Sequence, residues 1–193
     1  MRVALLACLA LSTGGCFRLS PPESHYERGV FEDAVAFNPS QAHAHFMLGR
    51  RAMFDGKYRE AIGHFRRAVA SQQNFLDAQV AMGRCWLNLG QPRRDMVPLA
   101  EALRLAPDSA RALELRGQAL METGDFAAAT QSLERALAAD PEAFLAHAML
   151  GEMAYTRGDF EGAIAHWRRA VACQPSDPVW SSAQRQLEGL LRD

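Results

Sequence analysis

The sequence predicts an all-α chain made of about four stacked helix–turn–helix units of equal length. Three observations carry that prediction. Gly49, Gly83, Gly117 and Gly151 stand 34 residues apart; Gly56, Gly90, Gly124 and Gly158 repeat the interval; Ala68, Ala102, Ala136 and Ala170 keep it as well. Pro107, Pro141 and Pro175 add a fourth series, with Pro39 two periods upstream of Pro107. A fixed period of this size marks a unit that buries its apolar side only against its neighbours.

From the amino end, Met1-Arg2 leads into an apolar run, Val3 to Leu11, and then into small residues ending at Gly15-Cys16. A basic start, a short apolar middle and a small-residue cleavage region have the layout of a secretory signal, so residues 1–15 are expected to be one. The run is about half of the ~20 residues that a membrane-crossing helix needs. Residues 16–24, with Pro21-Pro22, read as an extended linker. Residues 25–38 read as a helix, because Phe31, Ala34 and Pro39 share the phase of Phe65, Ala68 and Gln73. It would be a half-repeat covering the first unit.

The full units are placed at 42–75, 76–109, 110–143 and 144–177. A glycine inside a helix costs roughly 1 kcal/mol against alanine, so the series at Gly49 needs a packing reason. Close crossing of two helices supplies one, with Gly49, Gly117 and Gly151 expected to face Ala61, Ala129 and Ala163. The second glycine series suits the left-handed residue that ends a first helix. Asp125 and Asp159 follow it and are expected to cap the second helices. Tyr58, Phe126 and Phe160, then Phe65, Leu99, Leu133 and Trp167, fall at helical spacing on the side that fills the hairpin. The recurring proline closes each unit. In the second unit, Asp95 stands where the others have alanine, and Pro98 falls inside the expected second helix. That helix is predicted to start late, near Asp95 to Met96, or to bend there, leaving Arg93-Arg94 in a basic loop. Residues 178–193 carry Val179, Ala183, Gln186, Leu187 and Leu190 on one stripe and read as a helix that hides the last apolar face.

These positions together resemble the tetratricopeptide repeat. The fourth unit matches most closely, through Leu150-Gly151, Tyr155, Gly158-Asp159-Phe160, Ala163, Trp167, Ala170 and Pro175. The resemblance implies a right-handed α-solenoid that binds a protein or peptide along the wall built from the first helix of each unit. It places on that wall His43, Phe46, Arg50 and Met53, then Asp77, Val80, Arg84 and Leu87. The third unit supplies Arg111, Glu114, Gln118 and Met121, and the fourth Leu145, Ala148, Glu152 and Tyr155. Phe46, Ala81 and Leu115 stand where the family's chaperone-tail clamp has Lys or Asn, which argues against recognition of an acidic carboxyl-terminal tail.

Leu11-Ser12-Thr13-Gly14-Gly15-Cys16 is similar to the bacterial lipobox, departing from it at Thr13, where leucine is usual. That similarity makes Cys16 a lipidation site, and Phe17 after it resembles the outer-membrane default. The expected place is therefore the cell envelope, with a lipid anchor on the periplasmic face of the outer membrane. Eight linker residues reach at most roughly 28 Å, which would hold the array near the membrane.

Net charge is −1 and aromatics are 8%, so nothing in the totals points to nucleic acid. Cys8 lies inside the presumed signal. Cys85 and Cys173 sit in the second and fourth units and read as small core residues without a mutual disulfide. No zinc, P-loop or nucleophile-elbow motif is present, so neither catalysis nor a cofactor or metal is expected. His43 and His45 point to different sides of a helix, and His64 and His166 share one repeat position. The function that follows is a membrane-tethered scaffold or adaptor for a cell-envelope complex, similar to repeat lipoproteins that serve as pilotins. The alternatives are a self-associating structural envelope protein and a secreted regulator of an enzyme.

Overall fold

The computed structural model describes residues 30, 32–34 and 41–173 of the 193. The expected signal, Cys16, the linker, most of 25–38, Pro39, Pro175 and the helix at 178–193 lie outside the described residues. Val30 and Glu32 to Ala34 are helical. The chain divides into two compact units, one within Phe17–Pro107 and one within Asp108–Asp193. Among the described residues all regular structure is helical.

The first unit holds α1 (Ala42–Phe54), α2 (Tyr58–Ser71), α3 (Leu76–Asn88) and α4 (Pro92–Leu105). The second holds α5 (Ala110–Thr123), α6 (Phe126–Ala139), α7 (Phe144–Thr156) and α8 (Phe160–Cys173). Successive helices pair as antiparallel hairpins, α1 with α2, α3 with α4, α5 with α6 and α7 with α8. Within each unit the second helix of one hairpin also packs on the first helix of the next, α2 on α3 and α6 on α7. The first unit's core joins Ala52, Ile62, Phe65, Ala68, Ala78, Met82 and Cys85, and Trp167 heads a core of Ala148, Ala154, Ala163, Ile164 and Ala170 in the second.

The helix-interior glycines are notches, but for a different partner than expected. A Cβ on Gly49 would lie 2.5 Å from Cε1 of Phe65, and on Gly83 or Gly117 it would lie 2.6 Å from Cδ2 of Leu99 or Leu133. On Gly151 it would collide with the Trp167 indole. The helices therefore meet by passing one large side chain over a bare backbone. Ala61, Ala129 and Ala163 are fully buried, but the atoms nearest each notch belong to the large side chain.

The first helices end as the glycines require. Gly56, Gly90, Gly124 and Gly158 all have φ between 65° and 85°. The next residue's N–H then turns back to a carbonyl five residues earlier, Lys57 to Ala52 at 2.8 Å and Asp159 to Ala154 at 3.0 Å. These bonds satisfy carbonyls that the helix itself leaves open. Asp125 accepts the N–H of Ala128 at 3.1 Å and Asp159 that of Gly162 at 2.9 Å, so both cap the second helix of their hairpin.

Helix α4 corrects the expectation of a late start. It begins at Pro92, in register with Tyr58, Phe126 and Phe160, and runs through Pro98 to Leu105. Proline in the first turn gives up an N–H that has no helical partner anyway, so Pro92 opens the helix on schedule. Pro98 is buried and leaves the carbonyl of Arg94 without its i+4 donor. Arg93 and Arg94 are exposed in the first turn of α4, not in a loop, and the Arg94 guanidinium lies 5.2 Å from the centre of the Trp86 ring. Cys173 is also corrected, since it is exposed. Cys85 is buried, and burial pushes its thiol up to about 12, so it carries no thiolate near neutral pH.

Candidate partner-binding site

On α1, Phe46, Arg50 and Met53 follow each other at intervals of four and three residues and share one helix face; Val80, Arg84 and Leu87 do the same on α3. Within this first unit the face is layered. Met53 and Leu87 are buried, so they form its floor. Phe46, Arg50, Val80 and Arg84 are half-buried, and His43 and Asp77 are exposed at the amino ends of the two helices. The Phe46 ring packs 4.8 Å from Phe75 and 5.7 Å from Phe65, so it is held in place before any partner arrives. Arg50 lies along the helix with Nη1 3.9 Å from the sulfur of Met47. The result is an apolar strip carrying two guanidinium groups one repeat apart.

The second unit has a different character. On α5, Gln118 and Met121 are half-buried, and Gln118 donates to Glu122 Oε1 at 3.2 Å. On α7, Leu145, Glu152 and Tyr155 are half-buried and Ala148 is buried. The Tyr155 ring lies 5.6 Å from Phe160 and 5.9 Å from Trp167. Burial raises the Glu152 carboxyl above the usual carboxylate range. Residues 50, 84, 118 and 152 are one repeat position, so the place that is Arg twice in the first unit is Gln and then Glu in the second.

Glu114 is not part of an open face. Its side chain is 7% exposed, pairs with Arg111 at 2.8 Å, and accepts the N–H of Ala146 at 3.3 Å through Oε1. Ala146 lies in the first turn of α7, whose N-cap is Ala143 and provides no side-chain oxygen. Glu114 therefore serves as the missing cap from a neighbouring hairpin, a role that no periodic pattern could announce. Sequence reasoning also missed two histidine pairs, His45 with His64 and His147 with His166, whose tilted rings lie 5.8 and 5.5 Å apart. Their shared offset of three repeats was the available signal.

A cavity of about 40 Å³ lined by Glu32, Leu48, Arg51, Asp55, Glu60 and His64 has room for about one or two water molecules. Among the described residues no group of three or more His, Cys, Asp or Glu is gathered as for a metal ion. No described helix is long and apolar enough to cross a membrane.

The family model for the tetratricopeptide repeat matches residues 46–95, 99–131 and 115–178, which together span more than half of the chain. The chain belongs to the tetratricopeptide repeat family. A comparison with curated proteins finds no significant match. Among solved structures it is similar to TTC0263, a thermophilic TPR protein of Thermus thermophilus, at 22% identity and a TM-score of 0.70, over 83% of this chain and 88% of that one. It is similar to YrrB, described as a TPR protein with an unusual peptide-binding site, at 19% identity and 0.64, over 94% and 87%. It also resembles pilF of Pseudomonas aeruginosa, at 20% and 0.71, over 79% and 69%. At these identities the likeness establishes the tetratricopeptide fold.

Proposed function

We propose that this tetratricopeptide protein is an adaptor that holds a partner's peptide segment against the first-helix face, and that a lipid on Cys16 tethers it to the cell envelope. The observation that carries the reading is the strip in the first unit: Phe46 and Val80, half-exposed over a buried floor of Met53 and Leu87, flanked by Arg50 and Arg84. An apolar strip with fixed aromatic contact and two cations suits an extended or helical segment carrying apolar side chains and carboxylates. The peptide-binding site for which YrrB is named supports this use of the fold. The layout of residues 1–16 supports the tether.

The test is a crosslinking pull-down from envelope extracts with the wild type and with Arg50→Glu plus Arg84→Glu. Partners bound through the strip are expected to fall at least tenfold in yield, because two half-buried contacts of opposite sign become like-charged. An unchanged partner set removes the groove reading. For the tether, Cys16→Ser is expected to move the protein from the membrane to the soluble fraction and to lower its mass by the lipid. Unchanged fractionation and mass would remove the anchor.

A further inference from the structure

His147 on α7 and His166 on α8 face each other with Nδ1 to Nδ1 at 3.2 Å, and Nε2 of His147 lies 3.3 Å from the carbonyl oxygen of Pro141. The proton assignment follows from these two distances. A carbonyl only accepts, so the His147 proton sits on Nε2 and its Nδ1 is a lone pair. His166 must then donate from Nδ1. The bond tying α7 to α8 therefore exists with at most one added proton on the pair, taken at Nε2 of His166. A second proton has to enter at Nδ1 of His147, where it would point at another N–H. We propose that the His147–His166 pair is an acid-sensitive clasp on the fourth hairpin, closed while His147 is neutral and opened when both rings are charged.

The surroundings oppose double charging. Burial lowers the affinity of both rings for a proton; His147 on His166 and Arg169 on His147 add to it, whereas Pro141 on His147, and Asp159 and Glu134 on His166, act the other way. The sign follows: groups whose proton affinity is lowered in the folded state stabilise it above their unfolded value of about 6.5 and lose that contribution as pH falls through the folded value. The same two positions hold Leu113 and Ser132 in the third hairpin, where nothing titrates. The clasp is thus a property of the fourth hairpin and not of the repeat; in the first hairpin the His45 and His64 rings lie 5.8 Å apart and tilted, without the Nδ1 to Nδ1 bond.

Hydrogen exchange of the full chain between pH 7.5 and 5.0, corrected for intrinsic rates, tests this. Protection in α7 and α8 is expected to fall about tenfold or more between pH 6.5 and 5, relative to α5 and α6, because the open pair binds one more proton than the closed one. His147→Leu with His166→Ser, which copies the third hairpin's own residues, is expected to abolish the difference. Equal loss in α5–α6, or the same loss in the double variant, would overturn the proposal. If that variant does not fold, an NMR titration of the wild-type ring protons decides: both rings titrating near 6.5 overturns the clasp, and at least one ring titrating well below that supports it.

Discussion

Phe65→Ala is expected to cost about 3–5 kcal/mol of stability, seen as a lower denaturation midpoint and as lost exchange protection concentrated in α1 and α2. Phe65 is fully buried and is the ring that lies over the Gly49 notch. The sharper half of the expectation concerns that glycine. In the wild type, Gly49→Ala places a methyl 2.5 Å from a ring that is itself fully buried, so about 1–3 kcal/mol should be lost. In the Phe65→Ala background the same change meets empty space and gains the helix preference of alanine over glycine, about 1 kcal/mol. The sign of one substitution should therefore reverse between two backgrounds, which additive contributions cannot produce. A neutral Gly49→Ala in the wild type would refute the notch.

The same notch marks how far the sequence could be read. The period of 34, the left-handed glycines and the aspartate caps were legible because each is a local rule about one backbone position, repeated until chance is excluded. The partner of the notch was misassigned for a physical reason. Periodicity says that a small residue is needed where two helices cross, but not whether backbone or side chain comes to fill it; that depends on crossing geometry, which Phe65, Leu99, Leu133 and Trp167 settle. Pro98 was misjudged because the penalty for a helical proline was weighed and the favourable start at Pro92 was not. On the candidate face, the resemblance to the repeat family placed Phe46, Arg50, Val80 and Arg84 on one wall, but it could not separate them in depth from Met53 and Leu87. Depth comes from the neighbouring hairpin, and so does the commitment of Glu114.

Glu114→Ala is expected to cost about 3–5 kcal/mol, of the same order as the loss of a core aromatic, although alanine is the better helix former. Truncation leaves Arg111 without this carboxylate and the first turn of α7 without its acceptor. Burial raises the Glu114 carboxyl, with Arg111 and the Ala146 N–H acting against the rise. A raised folded value means that this group's contribution is full below the unfolded value and declines as pH rises through the folded one. The charged form is therefore a net cost in the folded state, which the contacts with Arg111 and Ala146 offset in part. Glu114→Gln keeps an oxygen for Ala146 and removes the charge, so it should lose only about 1 kcal/mol. If the two variants were equally destabilised, the charge pair and not the cap would be what holds α7. The comparison also governs how binding data are read. A substitution at position 114 acts on the stability of the fourth hairpin, whereas Arg50 and Arg84 change the face without removing any buried acceptor, which makes them the proper probes of the groove.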